Sequence, residues 1–204
     1  MKISLLGAES TGKTTLALAL RKHFDSRGRK AAVVSEVLRE WCAREGRTPR
    51  PHEQLPIARE QEARVDAAAT RSQVVIGDTS ALMVAIYSAM LFEDGSLYRF
   101  GVEQQKRYDF TLVTGLDLPW VADGLQRDGP HVREPVDALV REALDKAGIA
   151  YRVVYGEGEE RLANALAALG ELERAMPQRP WRWTCEKCGD PDCEHRLFTG
   201  MIRQ

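Results

Sequence analysis

The sequence has no long hydrophobic run, no excess of either charge and no framework of paired cysteines. Each absence removes a class of protein. The longest uncharged stretch, Thr79 to Phe92, has the length of a buried helix and is too short to span a bilayer. Met1-Lys2 before apolar residues has the look of a secretion signal, but the apolar stretch ends at Gly7. Lys and Arg number 29 against 30 Asp and Glu, a net charge of −1, so nothing draws the whole chain to nucleic acid or an anionic membrane. Of the four cysteines, Cys42 stands alone while Cys185, Cys188 and Cys193 cluster, which points to metal and away from disulfides. No internal repeat or low-complexity tract occurs. What is present, 204 residues with 44% hydrophobic and 29% charged, suits one cytoplasmic globular domain with a small appendage.

The chain is organised around MKISLLGAESTGKTT, its first fifteen residues. Ile3 to Leu6 read as a buried strand, and Thr15 to Leu20 as the start of a helix. Between them Gly7 to Thr14 fits G-x-x-x-x-G-K-[ST], the phosphate-binding loop, in the strand–loop–helix setting the motif requires. Gly7 and Gly12 let the backbone curl so that the N–H groups of Glu9, Ser10, Thr11, Gly12, Lys13, Thr14 and Thr15 can face phosphates at a helix start. Lys13 has the reach for the β- and γ-phosphates, and the Thr14 hydroxyl suits Mg²⁺. The stretch predicts a nucleoside-triphosphate site, with ATP and Mg²⁺ as ligands.

Further strands are expected at Ala31–Ser35, Gln73–Gly77, Phe110–Thr114 and Tyr151–Tyr155. Helices are expected at Val37–Arg44, His52–Arg71, Thr79–Met90, Glu93–Tyr108, Val136–Ala147 and Glu159–Ala175, with Leu116–Pro135 as a loop. Apolar strands alternating with helices predict an α/β fold, a five-stranded, mostly parallel sheet covered on both faces, as in P-loop NTPases. Ligands of such sheets bind at the carboxyl ends of the strands. Pro177 to Pro180 marks a boundary, giving a kinase-like domain over 1–176 and a tail over 177–204.

Glu36 and Asp78 fall at the ends of the second and third strands, on the edge that carries Gly7. Phosphoryl transfer to a hydroxyl needs charge stabilisation and a carboxylate to orient the acceptor and take its proton. Asp78 is assigned to the Mg²⁺ side and Glu36 to the acceptor; the opposite assignment stays open, as does a plain capping role for each acid. The loop LDLPWVADGLQRDGPHVREP carries Asp123, Arg127, Asp128 and Arg133 between glycines and reads as a lid. Arg127 and Arg133 would reach the triphosphate, and Asp123 the acceptor. Trp41, Tyr87 and Trp120 are candidates to stack on a flat acceptor ring, packing being the plainer role for each.

These residues resemble the nicotinamide-riboside kinase domain at the C-terminus of bifunctional bacterial NAD-biosynthesis proteins. The resemblance rests on GAESTGKTT at 7–15, VSEVLREW at 34–41, GDT at 77–79 and YDFTLVTGLDLPWVADGLQRD at 108–128, and it extends to about Arg174. It implies ATP-dependent phosphorylation of the 5′-hydroxyl of nicotinamide riboside. By that similarity Lys13 and Thr14 hold ATP and Mg²⁺, Arg127 acts from the lid, and Glu36, Arg39 and Asp78 face the riboside. Two departures are expected: no adenylyltransferase domain, and V-L-R-E-W in place of a more aromatic stretch, which leaves the acceptor open.

The family pattern does not include the tail. There Cys185, Cys188, Cys193 and His195 place three thiols and an imidazole within eleven residues, a closed ligand set of the structural zinc type. His195 sits close after Cys193 to share one ion, so Cys42 or a partner's residue is an alternative fourth ligand. Two functions are carried forward: a small-molecule kinase, and a regulatory ATPase module whose zinc tail contacts a protein or nucleic acid. The absence of a basic stripe counts against nucleic acid. The sequence leaves room for a homo-oligomer.

Overall fold

The computed structural model describes residues 1–121 and 129–170. Its centre is strand β1 (Lys2–Leu6), whose last four residues are all buried. Strands β2 (Ala31–Val34), β3 (Val74–Gly77), β4 (Phe110–Thr114) and β5 (Arg152–Val154) complete a sheet of order β2-β3-β1-β4-β5. Every pairing is parallel, with Ile3 beside Ile76 on one side and Phe110 on the other. The apolar composition of the strands follows from this, because a parallel sheet is buried on both faces.

Successive strand residues point to opposite faces, and the two cores divide accordingly. Ile3, Leu5, Ile76 and Leu112 pack with Leu16, Leu20 and Phe24 of helix α1 (Lys13–Ser26) and Leu166 of helix α7 (Gly158–Ala168). Leu6 and Val113 pack on the other face with Leu82, Met83 and Ile86 of helix α4 (Ala81–Phe92) and Val136, Val140 and Leu144 of helix α6 (Arg133–Lys146). Helices α2 (Val37–Glu45) and α3 (Pro51–Ala69) follow β2, and α5 (Tyr98–Gln105) lies between α4 and β4. Among the described residues no helix is long and apolar enough to cross a membrane.

Several expected boundaries shift. The expected helix over Glu93–Tyr108 shrinks to α5, because Glu93 ends α4 in the left-handed region at φ 54° and Asp94 turns the chain by accepting from the Ser96 N–H at 2.9 Å. The loop expected over Leu116–Pro135 ends early: Pro130–Val132 form a 3₁₀ turn and α6 begins at Arg133. The last helix stops at Ala168, before Gly170 at φ 71°, where the expectation ran to Ala175. The strands ending at Ser35 and Tyr155 in the sequence stop one residue sooner.

Buried polar groups tie the elements together. Gln105 donates to Ser4 Oγ at 2.9 Å and Thr111 Oγ1 at 2.8 Å, and accepts from Ser80 Oγ at 2.6 Å, joining β1, β4 and the start of α4. Glu62 of α3, almost fully buried, accepts from the Ala81 N–H at 2.7 Å and from the Tyr108 hydroxyl at 3.0 Å. Burial pushes its carboxyl above the usual range, against the pull of those two bonds. With the folded pKa above the unfolded one, its contribution is fully present below pH of about 4.5 and is lost as pH rises through the folded value. Glu62→Gln keeps the Ala81 bond and carries no charge, so melts across pH 4 to 8 should show the wild type falling relative to this variant. A difference that stays flat with pH would mean that the carboxyl is not penalised.

Candidate active site

The loop from Gly7 to Thr14 leaves β1 between β3 and β4, where the chain connections diverge and an open α/β sheet forms its ligand crevice. Gly7 has φ 140°, and a Cβ there would lie 2.3 Å from Thr114 Oγ1. Gly12 has φ 76° and caps α1. These two positions demand glycine, as the motif predicts. Thr11 donates to Ala8 O at 2.7 Å and sits 2.6 Å from Thr114 Oγ1, so the end of β4 holds the underside of the loop. Ser10, at φ 57°, meets the backbone of Val121 through its hydroxyl, accepting from its N–H at 2.8 Å.

Lys13 folds over this loop, Nζ donating to Gly7 O at 2.9 Å and Ala8 O at 2.7 Å. Burial lowers its pKa; Glu36 and Asp78 oppose that by favouring the charged form. Thr14 Oγ1 donates to Asp78 Oδ2 at 2.5 Å, which links the start of α1 to the end of β3. Burial raises the Asp78 pKa against the Thr14 bond and the charges of Lys13 and Arg39. Asp78 Oδ1 is buried and without a hydrogen-bond partner among the described residues. A hydroxyl beside a carboxylate with an unanswered oxygen is a donor set that fits a hard cation such as Mg²⁺.

Neither acid caps its helix. Ser80 is the N-cap of α4, its hydroxyl accepting from the Leu82 N–H at 3.2 Å, so Asp78 lies outside the cap. Glu36 occupies the N-cap position of α2 but makes no side-chain capping bond; it pairs with Arg39 at 3.3 Å. The structure therefore brings Lys13, Thr14, Asp78, Glu36 and Arg39 to one edge of the sheet. The aromatics divide. Trp41 packs beside the cluster of Val37, Ile57, Ala58, Ala81 and Val84, with the Arg47 guanidinium 4.7 Å over its ring. Tyr87 packs against the core beneath α4 and α6. Trp120 is half-buried, its indole N–H buried and unpaired among the described residues. Thr15 is exposed on α1.

Arg133, expected in the lid, is instead the first residue of α6, buried, with Nη2 donating to Leu116 O at 3.2 Å. Asp123 and Arg127 lie outside the described residues, as do Cys185, Cys188, Cys193 and His195. Among the described residues no group of three or more His, Cys, Asp or Glu is placed to hold a metal ion. Cys42 is a buried free thiol.

Sequence reading missed Arg161. This residue in the first turn of α7 is 3% exposed, and its guanidinium donates to Gly156 O at 2.7 Å, to the carbonyl of Thr11 in the phosphate loop, and to Asp117 Oδ1 at 2.6 Å. Asp117 in turn accepts from the Gly156 N–H at 2.6 Å. A signal was there: a cation at a helix N-terminus opposes the helix dipole unless it is paired elsewhere. Arg161→Met leaves Asp117 and the Thr11 carbonyl without this partner. Denaturant melts should show a loss of about 3 kcal/mol, and the KM for ATP should rise. Unchanged stability would mean that the clamp does not hold the loop.

The fold is shared with several solved structures. The NadR protein in complex with NR superimposes with a TM-score of 0.65 at 19% identity, over 87% of this chain and 52% of that one. A deoxyadenosine kinase from M. mycoides with dCMP and a flexible dCDP bound gives a TM-score of 0.58 at 14% identity, over 84% and 100%. A thymidylate kinase from Ehrlichia chaffeensis gives 0.58 at 14%, over 85% and 98%. The chain spans about half the length of the NadR chains that it matches. Among curated proteins, none matches the sequence. The family model described as AAA domain matches residues 2–161, from β1 to the buried Arg161 of α7. This chain belongs to that AAA-domain family of P-loop proteins.

Proposed function

We propose that the chain is an ATP-dependent small-molecule kinase acting in the cytoplasm, with the 5′-hydroxyl of nicotinamide riboside or a related nucleoside as acceptor. The observation that carries this is the joining of the phosphate loop to a strand-end carboxylate through Thr14 and Asp78, with Glu36 and Arg39 on the same edge. A binding module needs only the loop. A transferase also needs carboxylates where a hydroxyl can be met. The NadR, deoxyadenosine kinase and thymidylate kinase structures support the same reading by their fold.

In this reading the loop and Lys13 bind the triphosphate, with Lys13 exchanging its two carbonyl partners for phosphate oxygens, which are stronger acceptors. Bound Mg²⁺, held by Thr14 and Asp78, supplies charge neutralisation on the phosphates. Glu36 orients the acceptor hydroxyl and takes its proton as the new oxygen–phosphorus bond forms and the bond to the leaving ADP breaks. Arg39 pairs with that carboxylate at 3.3 Å and helps to fix its place. Asp123 and Arg127 complete the site from the segment after β4, and residues 177–204 form a separate zinc-binding tail.

ADP release with Mg·ATP, measured against nicotinamide riboside, other nucleosides and small alcohols with mass detection of product, tests the reading. A phosphorylated product supports it; silence across the panel with ATP still bound overturns it in favour of a regulatory module. Metal analysis of the purified full chain should give about one zinc per chain through Cys185, Cys188, Cys193 and His195. A metal-free, folded protein would remove the zinc tail.

A further inference from the structure

Asp78 sits on a turn that is held from three sides. Its N–H donates to Val34 O at 2.9 Å, which extends the pairing of β2 and β3 by one residue. At the far end of the turn the Ala81 N–H donates to Glu62 of α3 at 2.7 Å. Between them the Ser80 hydroxyl donates to the buried Gln105 at 2.6 Å, and Gln105 is tied to Ser4 of β1 and Thr111 of β4. The bend is tight: a Cβ on Gly77 would lie 2.8 Å from Thr79 O.

Inside this frame Thr79 has φ 134°, in a region that suits glycine and is unfavourable for a β-branched residue. Ser10 and Glu93, the other non-glycine residues with positive φ among the described residues, stand at 57° and 54°, inside the left-handed helical well. Thr79 is 2% exposed, so this is no loose surface turn. The residue before it, Asp78, leaves Oδ1 buried and without a hydrogen-bond partner among the described residues. Two unfavourable features therefore occupy consecutive buried residues, at the point where Thr14 joins the phosphate loop to the end of β3. The fold alone asks for neither: a glycine would take the φ of Thr79 without strain. Backbone strain of this kind persists where the surroundings over-determine it, and it gathers at sites that use it.

We propose that Thr79 is a positioning residue for Asp78: pinned at φ 134°, it fixes the direction in which that carboxylate meets the Mg²⁺ of a bound nucleotide. This rests on the reading above that Asp78 stands on the Mg²⁺ side. With the ends of the turn tied to β2 and α3, rotation about Thr79 is the backbone freedom that remains to the carboxylate. The Cβ of threonine narrows that rotation, and glycine would widen it. An acid with an unanswered oxygen gains by turning toward water, and a stiff turn prevents this. The cation then meets an oxygen already in place, and no ordering of the turn is charged against its binding.

The test uses the full chain with ADP, so it needs no acceptor. The quantity read is the Mg²⁺ advantage, the ratio of the Kd for ADP in EDTA to that in Mg²⁺. Thr79→Gly should lower this advantage roughly 10-fold, because small misplacements of a site group carry penalties of that order, and its Kd in EDTA should not change. Its melting temperature without ligand should rise by about 2–4 °C as the strain is relieved. Thr79→Ala keeps the Cβ and its restriction but lacks the hydroxyl, so its Mg²⁺ advantage should stay within about 2-fold of the wild type. An undiminished advantage in Thr79→Gly would overturn the proposal. So would a lower melting temperature in that variant, which denies the strain, or an equal loss in Thr79→Ala, which gives the role to the hydroxyl. Asp78→Asn separates these results from the reading beneath them. If it keeps the full advantage, Asp78 is not on the Mg²⁺ side and both fall; if it loses the advantage while Thr79→Gly keeps it, only the role of Thr79 falls.

Discussion

Lys13→Ala should lower kcat/KM for ATP turnover by about three orders of magnitude while leaving the fold intact. At an effective dielectric constant of about 20, unit charges 4 Å apart interact by about 4 kcal/mol. Spent on charge that develops in the transition state, that corresponds to roughly 10³-fold in rate. The setting of Lys13 supports the full effect: burial disfavours its charge, and Glu36 and Asp78 oppose that by favouring the charged form at the loop. The bonds lost in the free protein run only to the Gly7 and Ala8 carbonyls, which water can answer, so the melting temperature should barely move. Turnover near the wild-type level would overturn the phosphate-loop assignment.

Asp78→Asn and Glu36→Gln should each slow transfer by about 10²- to 10⁴-fold, and they should differ in how they respond to Mg²⁺. Asp78 shares its Oδ2 with the Thr14 hydroxyl and has no partner for Oδ1 among the described residues, so on the proposed assignment Asp78→Asn removes charge from the Mg²⁺ side. More Mg²⁺ should then be needed for half-maximal rate. Glu36 is paired with Arg39 while the Thr14 hydroxyl donates to Asp78, so Glu36→Gln should lower kcat at an unchanged Mg²⁺ requirement. If Glu36→Gln shifts the Mg²⁺ titration and Asp78→Asn does not, the two roles are exchanged. If neither variant slows transfer, the acids are not part of the machinery.

Much of this edge was legible because it is local. A glycine loop between an apolar strand and a helix is encoded in consecutive residues, and an acid directly after a run such as VVIG arrives at the strand end by chain order alone. The sheet followed from alternating apolar strands and helices. Less legible were features set by distant partners. Nothing near Arg133 announces that Leu116 will accept from it, so a lid residue by sequence became a buried helix start. Arg161 lies 150 residues from the loop carbonyl that it holds, and only its discord with the helix dipole hinted at a partner. Gln54 sits in an alanine- and charge-rich helix where a glutamine reads as surface, yet its side chain is fully buried. Capping roles for Glu36 and Asp78 could not be separated from catalytic ones until Ser80 was seen to cap α4.

The clamp on the phosphate loop has a consequence for the order in which the protein can become active as it is made. Within the AAA domain the loop is made early, yet Thr114 supports its underside and Arg161 closes it from a helix translated 150 residues later. At about 5–20 residues per second, that interval is roughly 8–30 s. For that time the nascent chain carries a nucleotide motif without the groups that shape it. The chain therefore commits to binding ATP only near the end of translation of its AAA domain, and a ribosome stalled before Arg161 would display the motif without a finished site.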